Sequence, residues 1–159
     1  MNSLSQMSLA QKLDMPPFWL AGFAALAYLI AQIDPWRAGV AGMGVMQWAG
    51  FVLLGLGAVL MFWSIRHMGR AKTTVIPHLE PQHLVTDGPF SFSRNPIYLA
   101  DALMLTGFIL LLGSLVALPV VAAFGVLIEI RFIRAEEARL VEGFAAQYAD
   151  WSAKTRRWL

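Results

Sequence analysis

Four apolar runs, approximately Pro17–Ile33, Val45–Ile65, Ile97–Leu112 and Ser114–Ile130, are separated by shorter polar stretches. A helix that crosses the hydrocarbon core of a bilayer needs about 20 residues, with a working range of roughly 17–25. The first, third and fourth runs lie near the short limit, and flanking amphipathic residues such as Trp36 and Tyr98 lengthen them. Only Gly113 and Ser114 separate the third run from the fourth, which predicts a tight hairpin, and Pro119 is expected to bend the fourth span. Gly50, Gly55 and Gly57, with Ala49 and Ala58, predict a small-residue face for close helix packing on the second span. Beyond the fourth run, Arg131–Val141 reads as its continuation into water. Phe144, Tyr148 and Trp151 then recur at helical spacing and predict a second, interfacial helix, closed by an Arg156-Arg157-Trp158 anchor. The pattern predicts an all-α, polytopic membrane protein of about four transmembrane helices, forming one membrane-embedded domain over residues 1–159 with a helical C-terminal tail.

Composition agrees with this reading. The 159 residues are 58% apolar and 14% charged, against roughly 45–50% and about 25% in soluble domains. With no cysteine there is neither a disulfide framework nor a thiol nucleophile. The net charge of +2 comes from basic residues beside apolar runs, which points to membrane orientation and away from nucleic acid. A cleaved signal peptide ending near Ala25-Leu26-Ala27 is disfavoured, because Phe18–Ala24 is short for its apolar region and Tyr28–Ile33 continues the run.

Lys12, then Arg66, Arg70, Lys72 and Arg94, then Arg131, Arg134, Arg139, Lys154, Arg156 and Arg157 fall on one side of a four-span topology, leaving Arg37 opposite. The positive-inside rule makes that side cytoplasmic, with both termini. The Leu84–Pro96 loop and the tail that carries Glu136 and Glu137 therefore share the cytoplasmic face.

Asn95-Pro96 is a strong helix start, since Asn is a favoured cap and Pro suits the first helical position. A helix beginning there presents amides and a positive dipole end to an anion. Arg94, Tyr98 and Asp101 follow at i, i+4 and i+7, along one side. Asp101 and Glu129 lie within predicted spans, where a carboxylate costs about 2.5 kcal/mol or more unless paired or wetted. For both, a structural pair with Arg131 or Arg134 competes with a functional role. Glu136 and Glu137 are expected to continue the register of the fourth span, seven residues on from Glu129, with one facing inward and the other solvated. His67, His78 and His83 lie outside the spans, so neither haem nor a metal site is expected. His83 is the more suitable as a hydrogen-bonding residue of a cofactor loop.

The sequence LVTDGPFSFSRNPIY, followed by two short spans, Glu-Glu-x-x-Leu, FAAQYADW and a basic end, resembles the isoprenylcysteine carboxyl methyltransferase and phospholipid methyltransferase group of membrane enzymes. The similarity covers roughly Gln82 to Leu159. It implies S-adenosylmethionine as methyl donor, bound on the cytoplasmic side by residues of 82–98 and 131–159. Gln82, His83, Leu84 and Val85 match one cofactor segment, and Phe90 stands where a tyrosine is usual. Asn95, Pro96, Ile97 and Tyr98 match a second segment, and Glu136 matches a cofactor-binding glutamate. The isoprenylcysteine branch has a substrate arginine four residues before that glutamate, where this chain has Phe132. Asn95 also replaces that branch's histidine, Ala145 a usual glycine and Trp151 a second tyrosine.

The expected function is methyl transfer to a lipophilic acceptor that arrives from the bilayer. A carboxylate acceptor would be oriented by Arg94, Arg131 or Arg134. An amine acceptor would lose its proton to Glu129, Glu136 or Asp101. Membrane sterol reductases share an Arg-(His/Asn)-Pro-x-Tyr element, so a nicotinamide-dependent reductase is the alternative enzyme. A noncatalytic membrane subunit is the third reading.

Overall fold

The computed structural model describes residues 14–36, 44–74 and 82–159. Lys12, Arg37 and His78 lie outside them. The described residues fold into helices α1 (Pro16–Ile33), α2 (Val45–Arg70), α3 (Pro96–Leu112), α4 (Pro119–Ile128) and α5 (Arg134–Ser152). Three helical runs, α1, α2 and Leu115–Ser152, are long and apolar enough to cross a membrane, and the 17-residue α3 is equally apolar but shorter. The all-α membrane architecture read from the sequence is the one observed.

Proline starts three of these helices: Pro16, Pro96 and Pro119 each open one. Their missing N–H falls where a helix has no acceptor for it. Pro119 therefore initiates α4 after a 3-10 turn at Leu115–Ala117, and does not bend a formed helix as expected from the sequence. The hairpin between α3 and α4 forms as predicted. Gly113 takes φ 74°, a left-handed cap that a Cβ would disfavour, and the Ser114 hydroxyl donates to Asp34 at 2.5 Å, tying the hairpin to the end of α1.

Helix α3 is central, with α2 against one side and α1 and α4 against the other. The contact of α2 with α3 is a backbone approach. A Cβ on Gly50 would lie 2.8 Å from the Gly107 carbonyl oxygen, and one on Gly57 2.9 Å from that of Ala100. Gly55 has nothing within 4 Å, and Ala49 and Ala58 are exposed. The small face thus reduces to Gly50 and Gly57, seven residues apart, the first meeting Gly107 and the second Ala100 and Met104 of the partner helix. On the other side Leu105, Ile109, Phe124, Ile128, Phe132 and Ile133 form the main core, with Phe23 edge-on to Phe124 at 5.5 Å. Phe51, Leu56, Val59 and Phe62 of α2 are exposed, as the lipid-facing side of a membrane helix requires.

Between α4 and α5, residues Glu129–Ile133 form a π-turn. Its extra residue rotates everything after it relative to α4. The expected unbroken register from Glu129 to Glu136 is thereby corrected: Arg131 and Arg134 are exposed while Phe132 and Ile133 are buried. The second helix expected in the tail is present. The run α5 is two helices joined across a kink at Ala145 (φ 21°, ψ −95°): the second, carrying Tyr148 and Trp151, is the further helix expected from the sequence, and Phe144 lies just before the kink, on the first.

Alternation of the spans brings the start of α1, the end of α2, the start of α3 and the tail to one end of the bundle. Asp14 and Arg131 pair there at 2.6 Å.

Candidate active site

At that end a cavity of about 310 Å³ lies between α1, α2, α3, α5 and the loop before α3. Met61, Ile65 and Met68, at i, i+4 and i+7 on α2, make one apolar wall, and Met15, Pro16 and Pro17 make another. Pro17 and Ile65 are also exposed on the outer surface, so the cavity lining is continuous with the lipid-facing side.

The loop is built to hold its shape. Gly88 has φ +57°, and a Cβ there would come 2.7 Å from the His67 ring, so no other residue suits the position. His67 Nε2 lies 3.0 Å from Asp87. The C-terminal segment then crosses the loop. Trp151 Nε1 donates to the Phe90 carbonyl at 2.9 Å, Arg94 N to the Arg156 carbonyl at 2.9 Å, and Asn95 Nδ2 to the Arg157 carbonyl at 3.0 Å. Asn95 precedes α3 as predicted, but its side chain makes no cap bond because it is committed to the tail.

The polar end of the cavity joins α3 to α5. The Tyr98 hydroxyl donates to Glu136 Oε1 at 2.6 Å, with the Tyr98 ring stacked on Phe132 (centroids 6.4 Å apart). Glu136 lies beyond the apolar part of the span, and burial pushes its carboxyl up to about 7, against the pull of the Tyr98 bond and of Arg139. Arg94 Nη1 donates to the Tyr148 hydroxyl at 3.1 Å, its Nη2 lies 3.4 Å from Glu137, and its guanidinium covers the Tyr148 ring. Arg94 Nε is buried with no protein partner among the described residues. Burial, then the nearby Glu137 carboxylate, pushes the Tyr148 phenol up.

Of the residues singled out in the sequence, His83, Leu84, Val85, Phe90, Arg94, Asn95, Pro96, Ile97, Tyr98, Asp101 and Glu136 line this one cavity. Gln82 stands outside it, its backbone N–H on Thr73 Oγ1 at 3.2 Å. Glu129, Arg131 and Arg134 also stand outside. Glu129 pairs with Arg134 and with Arg157, each at 3.1 Å, and Arg131 pairs with Asp14. The glutamate pair does not divide into one inward and one solvated residue. Glu137 is largely buried and bound by Arg157 at 2.7 Å. Sequence reasoning did not single out Arg139, Leu140, Glu137 or the α2 wall as site residues. Only the last had a local signal, the spacing of Met61, Ile65 and Met68.

Phe132 fills the position of the isoprenylcysteine branch's substrate arginine, and here it is buried behind Tyr98 with no polar function. No curated protein and no solved structure matches the chain. Residues 45–147, well over half of the chain and reaching from the start of α2 into α5, match the family model for phospholipid methyltransferases, and to that family this chain belongs.

Proposed function

We propose that this protein transfers a methyl group from S-adenosylmethionine to the amine of a lipid at the cytoplasmic face of the membrane. The observation that carries the reading is a single cavity with a hydrogen-bonding end at Arg94, Tyr98 and Glu136 and an apolar wall continuous with the lipid-facing surface. A water-soluble cosubstrate and a bilayer-borne acceptor need such a meeting place.

The lining suits the donor. The Glu136 carboxylate, oriented by Tyr98, can accept from ribose hydroxyls or an ammonium group. Arg94, with its unpartnered Nε, and Arg139 can hold a carboxylate. Leu84, Val85 and Phe90 offer an apolar surface for the purine. When bound, the cosubstrate supplies an electrophilic methyl on a sulfonium. The chain's own contribution is to align acceptor and donor and to keep water out. Phe132 in place of an arginine leaves a carboxylate acceptor without an orienting cation at that position, and the phospholipid methyltransferase family supports a phospholipid acceptor, whose headgroup amine is the nucleophile of this reading. All ten described Lys and Arg residues lie in segments flanking this end of the bundle, which supports a cytoplasmic site by the positive-inside rule.

The test is calorimetric titration of the purified protein in detergent with S-adenosylmethionine, S-adenosylhomocysteine and NADPH. Saturable binding of the two sulfur compounds alone is expected. Binding of NADPH alone would replace this reading with the reductase, and binding of none in folded, lipid-supplemented protein would favour a noncatalytic subunit.

A further inference from the structure

Asp101 lies one helical turn beyond Tyr98 on α3, about 4.5 Å deeper into the bundle at 1.5 Å per residue. It lines the cavity yet is only 4% exposed. The other carboxylates at the cavity are engaged: Glu136 accepts from Tyr98, and Glu137 is held by Arg94 and Arg157. No hydrogen bond or ion pair from a described residue reaches the Asp101 carboxylate. Met61 and Ile65 of α2 and Met15–Pro17 at the start of α1, which line the cavity with it, carry no charge, and the cavity's two arginines, Arg94 and Arg139, act on Glu137 and Glu136 at its polar end. A carboxylate at membrane depth, on a cavity whose apolar wall reaches the lipid-facing surface at Pro17 and Ile65, is matched by a cation that arrives from the lipid side.

We propose that Asp101 is the acceptor-side catalytic residue: it binds the ammonium of the lipid headgroup and takes its proton. This rests on the methyl-transfer reading above. The ammonium N–H proton passes to the Asp101 carboxylate, which frees the nitrogen lone pair. That lone pair forms the N–C bond to the methyl carbon while the C–S bond breaks and leaves its electrons on sulfur as a thioether. The protonated Asp101 then releases its proton to water at the polar mouth. Glu136, bound by Tyr98 at that mouth, serves the donor side, so the two carboxylates divide the substrates between them.

The test compares Asp101→Asn, Asp101→Glu and Glu136→Gln with the wild type in nanodiscs. Three readouts are taken: S-adenosylhomocysteine affinity, turnover of an ethanolamine-headgroup lipid, and the preference for a spin-labelled choline-headgroup lipid over its glycerol-headgroup counterpart. The headgroup preference needs no cosubstrate and no turnover. Asp101→Asn is expected to abolish the preference and lower turnover by about 100-fold or more, with S-adenosylhomocysteine affinity kept within about twofold. Asp101→Glu, which retains the charge, is expected to keep the preference, and Glu136→Gln to keep it while losing the sulfur ligand. An Asp101→Asn protein with wild-type preference and turnover overturns the proposal, as does one whose main defect is in S-adenosylhomocysteine binding. If the wild type binds no sulfur ligand, the methyl-transfer reading fails and the catalytic role with it. The headgroup preference then still reports whether Asp101 is a cation site.

Discussion

The Tyr98 hydroxyl and Glu136 Oε1, 2.6 Å apart, connect two helices across 38 positions of sequence. The bond settles which way Glu136 points. Because burial holds the Glu136 carboxyl up at about 7, the folded protein keeps a proton there that the unfolded chain loses near the ordinary value of 4.5. The sign follows from linkage: the folded state binds more protons between those two values, so stability falls as pH rises from about 4.5 through 7. The full shift corresponds to at most about 3 kcal/mol, and less where cavity water screens the charge. Thermal unfolding in detergent across this range should show the decline in the wild type and a flatter profile in Glu136→Gln.

The same ionisation sets ligand affinity. Hydroxyl and ammonium donors need the carboxylate form, so S-adenosylhomocysteine should bind more tightly as pH rises through about 7. Glu136→Gln should bind weakly with no such rise. Tyr98→Phe keeps the ring on Phe132 and removes only the hydroxyl, which should weaken binding by about tenfold, the worth of one charge-assisted bond. Calorimetry at several pH values separates the two variants. A Tyr98→Phe affinity equal to wild type would show that the bond does not orient the carboxylate for a ligand.

Close approach of α2 and α3 gives a contrast between glycines on one helix. A Cβ on Gly57 would lie 2.6 Å from the Met104 side chain and 2.9 Å from the Ala100 carbonyl oxygen, and one on Gly107 2.7 Å from that of Gly50. Gly57→Val and Gly107→Val should force the helices apart at a cost of about 1–3 kcal/mol. Gly55→Ala, in open space, should be neutral or slightly stabilising through helix propensity. Melting temperatures of the three variants decide this.

The spans, the Gly113–Ser114 hairpin and the shared end of loop and tail were legible because each depends on local composition and on charge beside apolar runs. The cavity residues from His83 to Asp101 were legible partly from spacing on α3 and partly from the family resemblance. What was not legible depends on which helix face meets which. Gly50 and Gly55 look equivalent in the sequence, and only the crossing of α2 on α3 distinguishes them. Glu129 and Glu136 share a face on an ideal helix, and the π-turn at Glu129–Ile133 separates them, one toward Arg134 and the other toward Tyr98. Arg157 looks like an interface anchor until its ties to Glu129 and Glu137 are seen.

Those ties make Arg157 a positioning residue. It holds Glu137 at 2.7 Å, and Glu137 in turn lies 3.4 Å from Arg94 in the cavity. Arg157→Ala should leave Glu137 to Arg94 and the Tyr148 hydroxyl and loosen the tail over the loop. We expect sulfur-ligand affinity to fall several-fold, with Arg157→Lys recovering part of it, since a lysine restores charge but not the two-pronged contact. If Arg157→Ala lowers the melting temperature but leaves the affinity unchanged, the residue acts on the fold alone.

Ala145 occupies a backbone conformation that favours glycine. Its φ of 21° and ψ of −95° break α5 between Glu137 and Trp151, the two tail residues that engage Arg94 and the loop. An L-residue held in such a region carries strain of about 1–3 kcal/mol, while glycine adopts it with no Cβ conflict and loses about 0.5–1 kcal/mol more chain entropy on folding. The strain outweighs the entropy, so Ala145→Gly should stabilise the protein slightly, and Ala145→Val should destabilise it. Gly143, two residues earlier, has helical geometry with nothing within 4 Å of its missing Cβ. There the preference reverses, and Gly143→Ala should stabilise by about 1 kcal/mol. The double variant Gly143→Ala with Ala145→Gly keeps composition constant and moves the glycine to the break. A higher melting temperature for it than for wild type is the expected result. A lower one would mean that α5 runs straight through position 145.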